Sequence, residues 1–421
     1  MSGDKLVFRR ADILPWVGVC FVAALVQVLL WQISEPAYLF SDFDKAYYAA
    51  GRVLLAEGPR QTWYINEPGS LAFVNIPVLG YLFVPLAMLD PWLAGWVYLG
   101  FSVAAIVATL LLLARYLALS PYKFAILILL FAANGPLVNS LREGNTSHIV
   151  VLLLAASLFL LLSGWRFAAG ALLGACAVVK LPLILFGAYY VLLRRWRIVA
   201  GAASMIGFLV FLSLLVFGAE INGGWYEKCV APYLSGVVGA FNVQSIDAFL
   251  LRLVTGETHL WDWDPIEISS AHRIVRTLMV GSVFAATLCL MVRASRRRQM
   301  AAVQEATARA ALEFVLVLNV ALVTSPLSWT HYYLLLLLPA ALLLAGGLPM
   351  AGDVATRRLM FGGLLFASTP VVAPNLDGTW FGPLVARTAV SVWLFGGLLM
   401  LAGLMRASWC QGLDLDQDER V

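Results

Sequence analysis

Apolar stretches long enough to cross a bilayer recur along the whole chain, near residues 13–33, 70–89, 92–114, 121–138, 148–164, 167–193, 198–217, 271–292, 311–323, 332–348, 359–371 and 383–404. A helix needs about 20 apolar residues to cover a hydrocarbon core of roughly 30 Å, and lipid leaves the backbone little choice but helix. The pattern therefore predicts an all-α polytopic membrane protein whose principal partner is the lipid bilayer. Only 12% of the 421 residues are charged, about half the share of a soluble domain, and no polar block of domain size interrupts the runs. Both points exclude a cytosolic globule. The net charge of +4 comes from short basic clusters at the ends of apolar runs, which implies no nucleic-acid partner. The five cysteines are scattered and offer neither a disulfide framework nor a CxxC metal site. The N-terminal charges precede an apolar run too long for a cleaved signal, so it reads as an uncleaved first span.

Lysine and arginine set the direction of the spans. The run 70–89 carries Asn75, Pro77 and Pro85, which suit a kinked segment at the interface as well as a span. If it stays at the interface and 167–193 is a hairpin of two short spans, 18 of the 28 Lys and Arg share one side; nine take the other, and Lys180 stays inside the membrane. If 70–89 crosses, the tally reverses. The first arrangement predicts about twelve transmembrane helices in one integral domain, 1–421, of a cell (inner) membrane. Both termini and the tail 405–421 are then cytoplasmic. The outer face receives a first loop, 34–91, with interfacial helices, a large loop at 218–270, and the shorter segments 139–147, 324–331 and 372–382. Tyr47, Val53 and Leu54 recur at helical spacing in the first loop, as a surface helix requires.

Several residues on that face carry chemistry. Asp42 and Asp44 form a DFD directly after the first span; such a pair suits a helix cap, a general base or a metal ligand. A second DxD at Asp262 and Asp264 lowers the specificity of both. Lys180 sits between two runs of about 13 residues, each spanning only about 20 Å, so the hairpin tip ends below the surface. It either lines a cavity that takes an anion or snorkels outward. The loop NSLREGNTSH concentrates Arg142, Glu143, Asn145 and His148, and TSPLSWTH sets Trp329 and His331 after the helix-stopping Pro326. The large loop holds Gln244, Arg252 and several aromatics, a surface suited to sugar rings or to an interfacial belt.

Five blocks in order, DFDKAYYAAGRVLLAEG, FVNIPVLGYLFVPLAMLDP, NSLREGNTSHIVVLLLA, GALLGACAVVKLPLILFGAYYVLLRRWR and SPLSWTHYYLLLLLP, resemble glycosyltransferase family 87. These are polyprenol-phosphate-mannose-dependent mannosyltransferases of the GT-C fold. The resemblance covers roughly residues 38–340. It implies a catalytic acid in the first outer loop, matched by spacing to Asp44 with Tyr48, Gly51 and Arg52, a histidine at His331 and a lysine at Lys180. Two blocks depart from the family pattern: Y-P-P reads Asn75, Ile76, Pro77, and G-Q-x-N reads Gly144, Asn145, Thr146, Ser147.

The implied function is an inverting hexosyltransferase, mannose being the implied sugar. It takes a polyprenyl-phosphate sugar donor and a glycolipid or glycan acceptor of the envelope. Asp44, with Asp42 as its neighbour, serves as base. His331, Lys180 and Arg252 hold the donor phosphate, and Tyr48, Arg52, Arg142, Glu143, Asn145, Gln244 and Trp329 contact substrate. With no P-loop and no GxGxxG after a strand, no nucleotide is needed; no cofactor and no metal site is assigned, and a divalent metal is left open. A lipid or sugar transporter or flippase, and an assembly partner in envelope synthesis, are the rival classes; the repeated halves expected of a transporter are not visible in the sequence.

Overall fold

The structure is a computed structural model that describes residue 18 and residues 39–59, 73–296, 303–348, 354–371 and 379–418; the side chains of 291–306 and 410–418 are not described. The expected first span at 13–33 lies outside the described residues, apart from Gly18. Among the described residues the protein is helical, with two isolated strand-like bridges, Val237–Ile266 and Val243–Trp329.

The chain enters with a π-helical turn, Phe43–Tyr48, that runs into α1 (Ala49–Glu57). Tyr47 and Leu54 of the expected surface helix are buried, with Val53 at its edge. The apolar run 70–89 breaks up: Pro77 opens a 3₁₀ turn, Pro77–Phe83, and Pro85 sits in the first turn of Val84–Ala87. The resulting eleven-residue helix, Pro77–Ala87, is about 16 Å long at α-helical rise and too short to cross.

Then follow α2 (Pro91–Tyr116), α3 (Pro121–Ala132), α4 (Gly135–Glu143), α5 (Ser147–Leu162), α6 (Arg166–Val179), α7 (Leu185–Leu192) and α8 (Trp196–Trp225). The chain continues through α9 (Ile246–Thr255), α10 (Ser270–Arg296), α11 (Val303–Thr324), α12 (Leu337–Ala345), α13 (Val354–Ala367), α14 (Gly382–Arg387) and α15 (Val392–Asp418). Helix α15 continues through most of the segment expected as a tail.

Among the described residues five helices are long and apolar enough to cross a membrane, within Pro91–Tyr116, Trp196–Ser235, Ser270–Leu290, Thr307–Thr324 and Gly382–Trp409. A sixth exists if α3 and α4, bent 58° against each other, act as one. The protein is thus a multi-pass membrane protein. Where the sequence suggests about twelve crossings, the described residues give five or six of full length. The other apolar runs among the described residues fold as shorter helices, and proline and glycine break two of them: Gly135 and Pro136 divide α3 from α4, and Pro182 lies two residues after Lys180 at the tip between α6 and α7.

Burial sorts the bundle into layers. The apolar stretch of α11 is 67% buried, whereas those of α2 and α8 are 22% buried and present Phe101, Leu111, Phe211 and Leu215 outward. The central layer is α11 with the segment Thr330–Ala345, in which Tyr333 to Leu338 are all buried. Outer helices close on it through small residues. A Cβ added at Gly170 or Gly174 of α6 would strike the α8 carbonyls of Ile198 and Ala202, and one at Gly201 of α8 would strike Phe167 of α6. Those two helices approach backbone to backbone, as small-residue faces permit in lipid. Contacts gather the turn before α1, the α4–α5 corner, the α6–α7 tip and the Thr330 turn in one place: Phe40 bonds to Arg142, Asp42 and Glu143 lie near His331, and Lys180 lies over Tyr332.

Candidate functional site

Phe40 fixes how the chain enters that cluster. It holds a left-handed backbone, φ 64°, unusual for a bulky residue. Its N–H donates to the Arg142 carbonyl at 2.7 Å and its carbonyl accepts from Asp44 N at 2.8 Å. Its ring packs against Trp92 and Trp96 over Gly95. The next turn is stitched down by aromatics: Phe43 stacks on Tyr98 at 4.8 Å, Tyr47 stacks on Phe83 at 4.8 Å, and the Tyr48 hydroxyl donates to the Leu89 carbonyl at 2.8 Å. Asp42 stands at the N-cap position of the π turn yet makes no side-chain cap hydrogen bond. Its carboxylate is free for other partners.

Those partners come from the α4–α5 corner. Helix α4 ends at Gly144 with φ 74°, and a Cβ there would lie 2.7 Å from the Phe43 Cβ, so only glycine lets the corner close on the entering chain. Asn145 accepts at Oδ1 from Ser140 Oγ (2.7 Å) and Ser147 N (3.0 Å). This leaves its Nδ2 toward Asp42, outside strict hydrogen-bond geometry but near enough to favour the charged carboxylate. The Tyr98 hydroxyl donates to the Asn145 carbonyl at 3.0 Å, and the Tyr47 and Thr146 hydroxyls meet at 3.4 Å.

Asp42, Glu143 and His331 offer ligand atoms that all lie within 4.8 Å of one another. Two carboxylates and an imidazole at that spacing could hold a divalent cation, or share protons with a substrate hydroxyl. His331 lies parallel to the Trp329 ring, with centroids 6.3 Å apart. Lys180 is buried, its Nζ 4.4 Å over the Tyr332 ring. It is therefore the inward-facing cation of the two readings open to it, not a snorkelling one. It attracts Asp42 electrostatically, yet no ion pair within 4.0 Å joins the two among the described residues. Burial raises the Asp42 carboxyl from 3.8 to about 6, while Lys180, then Asn145 and Lys45, pull it down.

A family model described as glycosyltransferase family 87 matches residues 73–326, more than half of the chain. The chain belongs to glycosyltransferase family 87. Comparison with curated proteins finds no match. The stretch matched to the family holds Glu143, Asn145 and Lys180 but neither Asp42 nor His331, so the fold supplies what joins the matched stretch to its two flanks.

For this family 87 chain the structure redistributes the expected residues. It gathers Asp42, Glu143, Asn145, Lys180 and His331, with Trp329 beside them, and it keeps Asp44 and Arg52 exposed. Arg142 donates to Asn139 Oδ1 at 2.6 Å from the back of the corner, and Tyr48 is spent on Leu89. Arg252, expected at the donor phosphate, is a structural brace. It is fully buried, with Nη1 donating to the carbonyls of Gly239, Ala240 and Val243 and Nη2 to Ser391 Oγ. Gln244 is likewise spent inside the protein, donating to the Phe241 and Val390 carbonyls and accepting from Leu394 N. The expected loop 218–270 is helical as far as Ser235 and again in α9; the physical reason common to both residues is that the turned-in carbonyls of Gly239 to Val243, between those helices, have no helical partner, and long polar side chains satisfy them. Sequence reasoning missed Tyr98 and Tyr332. Their only signal is position, two turns inside a span start and next to His331. Asn75, noted only as a departure from the family pattern, is buried and interacts with the Tyr47 hydroxyl.

Proposed function

We propose that the protein is an inverting hexosyltransferase. It moves a sugar, mannose by the family resemblance, from a polyprenyl-phosphate carrier to an envelope glycolipid or glycan at the outer face. The observation that carries this reading is the Asp42 carboxylate. It is unspent in capping, half-buried, and faced by His331 and Lys180, in a first loop that the lysine and arginine tally puts outside.

In the proposed step the acceptor oxygen attacks the anomeric carbon and its proton passes to Asp42. The bond from that carbon to the phosphate oxygen breaks, its electron pair leaving with the phosphate. The departing phosphate gains negative charge, which Lys180 and a hydrogen bond from His331 offset. One attack from the face opposite the leaving group inverts the centre. Asp42 replaces Asp44 as the base, because Asp44 points to solvent. Arg252 leaves the phosphate set.

The test is transfer by purified protein in lipid nanodiscs. Polyprenyl-phosphate mannose should act as donor, and a nucleotide sugar without lipid carrier should not; transfer from the nucleotide sugar alone overturns the proposal. In sealed proteoliposomes, movement of the lipid-linked sugar without any transfer supports the transporter instead. A second reading is favoured by the Asp42, Glu143, His331 set: a divalent cation bound there would itself neutralise the phosphate. Loss of turnover on chelation, restored by Mn²⁺ or Mg²⁺, selects it.

A further inference from the structure

His148 opens α5 and is completely buried. It lies within electrostatic reach of Lys180 and His331, with its ring 6.2 Å from that of Tyr98. Its Nδ1 is 3.1 Å from Ser140 Oγ, and its Nε2 has no hydrogen-bond partner. A buried polar nitrogen without a partner costs about 1–3 kcal/mol and asks for a ligand.

The proton on this ring is fixed by its neighbours. The Ser147 N–H donates to Asn145 Oδ1, so the amide oxygen is on that side. That oxygen also lies 2.7 Å from Ser140 Oγ and carries no hydrogen, so the serine must spend its one proton on it. The 3.1 Å contact from Ser140 Oγ to His148 Nδ1 can then exist only if Nδ1 carries the hydrogen. With no carboxylate hydrogen-bonded to it among the described residues, the buried ring is neutral. Its Nε2 is therefore a bare lone pair, a buried acceptor without a partner within electrostatic reach of Lys180.

A lone pair repels phosphate oxygens and welcomes a hydroxyl. On the reading that this site holds a lipid-linked sugar, we infer that His148 Nε2 accepts a hydrogen bond from a hydroxyl of the transferred sugar and so contributes to sugar specificity. The sugar is joined to the phosphate that Lys180 and His331 attract, which puts its hydroxyls, ahead of those of the acceptor, nearest His148.

The probes are short-chain prenyl-phosphate mannose and its monodeoxy derivatives, with Kd measured on the full-length protein in nanodiscs. His148→Asn keeps a nitrogen donor for Ser140 and removes the Nε2 acceptor; His148→Gln places an amide oxygen near the lost one. In the wild type one deoxy position should weaken binding about tenfold. In His148→Asn the parent sugar should bind about tenfold more weakly, with that deoxy penalty gone, and His148→Gln should recover part of it. The inference is overturned if every deoxy penalty is the same in wild type and variant, or if the coupled position lies on a deoxy acceptor instead. No binding of the parent sugar to wild type overturns the functional proposal itself. Nitrogen-15 histidine spectra, assigned by the signal lost in His148→Asn, check the tautomer without activity. Hydrogen on Nε2, or on both nitrogens, overturns it even where a variant folds poorly.

Discussion

Asp42 and Glu143 bring two carboxylates within 4.8 Å of each other, one from the entering chain and one from the last turn of α4. What holds them together is Gly144, whose left-handed turn lets the corner lie against Phe43. Burial, and then the neighbouring Asp42, push the Glu143 carboxyl up to about 8, so Glu143 keeps its proton near neutral pH and Asp42 is the carboxylate of the pair, beside the imidazole of His331 and with Lys180 as the nearby cation.

Exchanging the two aspartates separates base from bystander. Asp42→Asn should lower turnover by on the order of 10² or more, while Asp44→Asn stays within a few-fold of wild type. The raised Asp42 value means that the folded protein holds this proton more tightly than the unfolded chain. The charged carboxylate therefore costs stability above pH about 6, a cost that fades as pH falls toward 3.8. Asp42→Asn should accordingly melt no lower than wild type at pH 7.5. The opposite ranking of turnover moves the base to Asp44.

The same carboxyl sets the acid limb of the pH profile. A base works as the carboxylate, so kcat/KM should fall as pH drops through about 6 and level off above it. Lys180 favours the charged form, so Lys180→Met should move the limb to higher pH as well as weaken donor use. A limb that stays in place in Lys180→Met separates the two groups and refutes their coupling.

Arg252→Met should behave as a folding defect. It strands three carbonyls and a serine that Arg252 now satisfies, at a cost of several kcal/mol. Thermal melts should show a large loss, while the fraction that folds keeps the donor KM of wild type. A normal melt with a raised donor KM returns Arg252 to the phosphate.

Gly144→Ala tests the corner. The left-handed φ costs a β-carbon roughly 1–2 kcal/mol, and the added atom meets the Phe43 Cβ at 2.7 Å. The variant should lose stability and turnover together, because pushing Phe43 away moves Asp42 with it. Loss of stability with full turnover shows that the site tolerates a displaced corner.

The sequence by itself determined the apolar runs, the failure of 70–89 to make a crossing helix, the short hairpin with Lys180 at its tip and the helix break before His331. The runs and the break before His331 follow from local composition and proline, and the reading of 70–89 and of the hairpin from the lysine and arginine tally and from counting residues against the thickness of a bilayer; none of these depends on what lies across the fold. Tertiary structure alone decided which aspartate faces inward. A first-turn aspartate is locally equivalent to its neighbour two residues on. The choice was made by Phe43, which stacks on Tyr98 and lies against Gly144, and by a π turn that leaves Asp42 without a capping bond. It likewise decided that Arg252 braces carbonyls while Lys180 faces the site. A long cation takes the partners that remote segments bring to it, and Gly239 and Ser391 come together only in the folded chain.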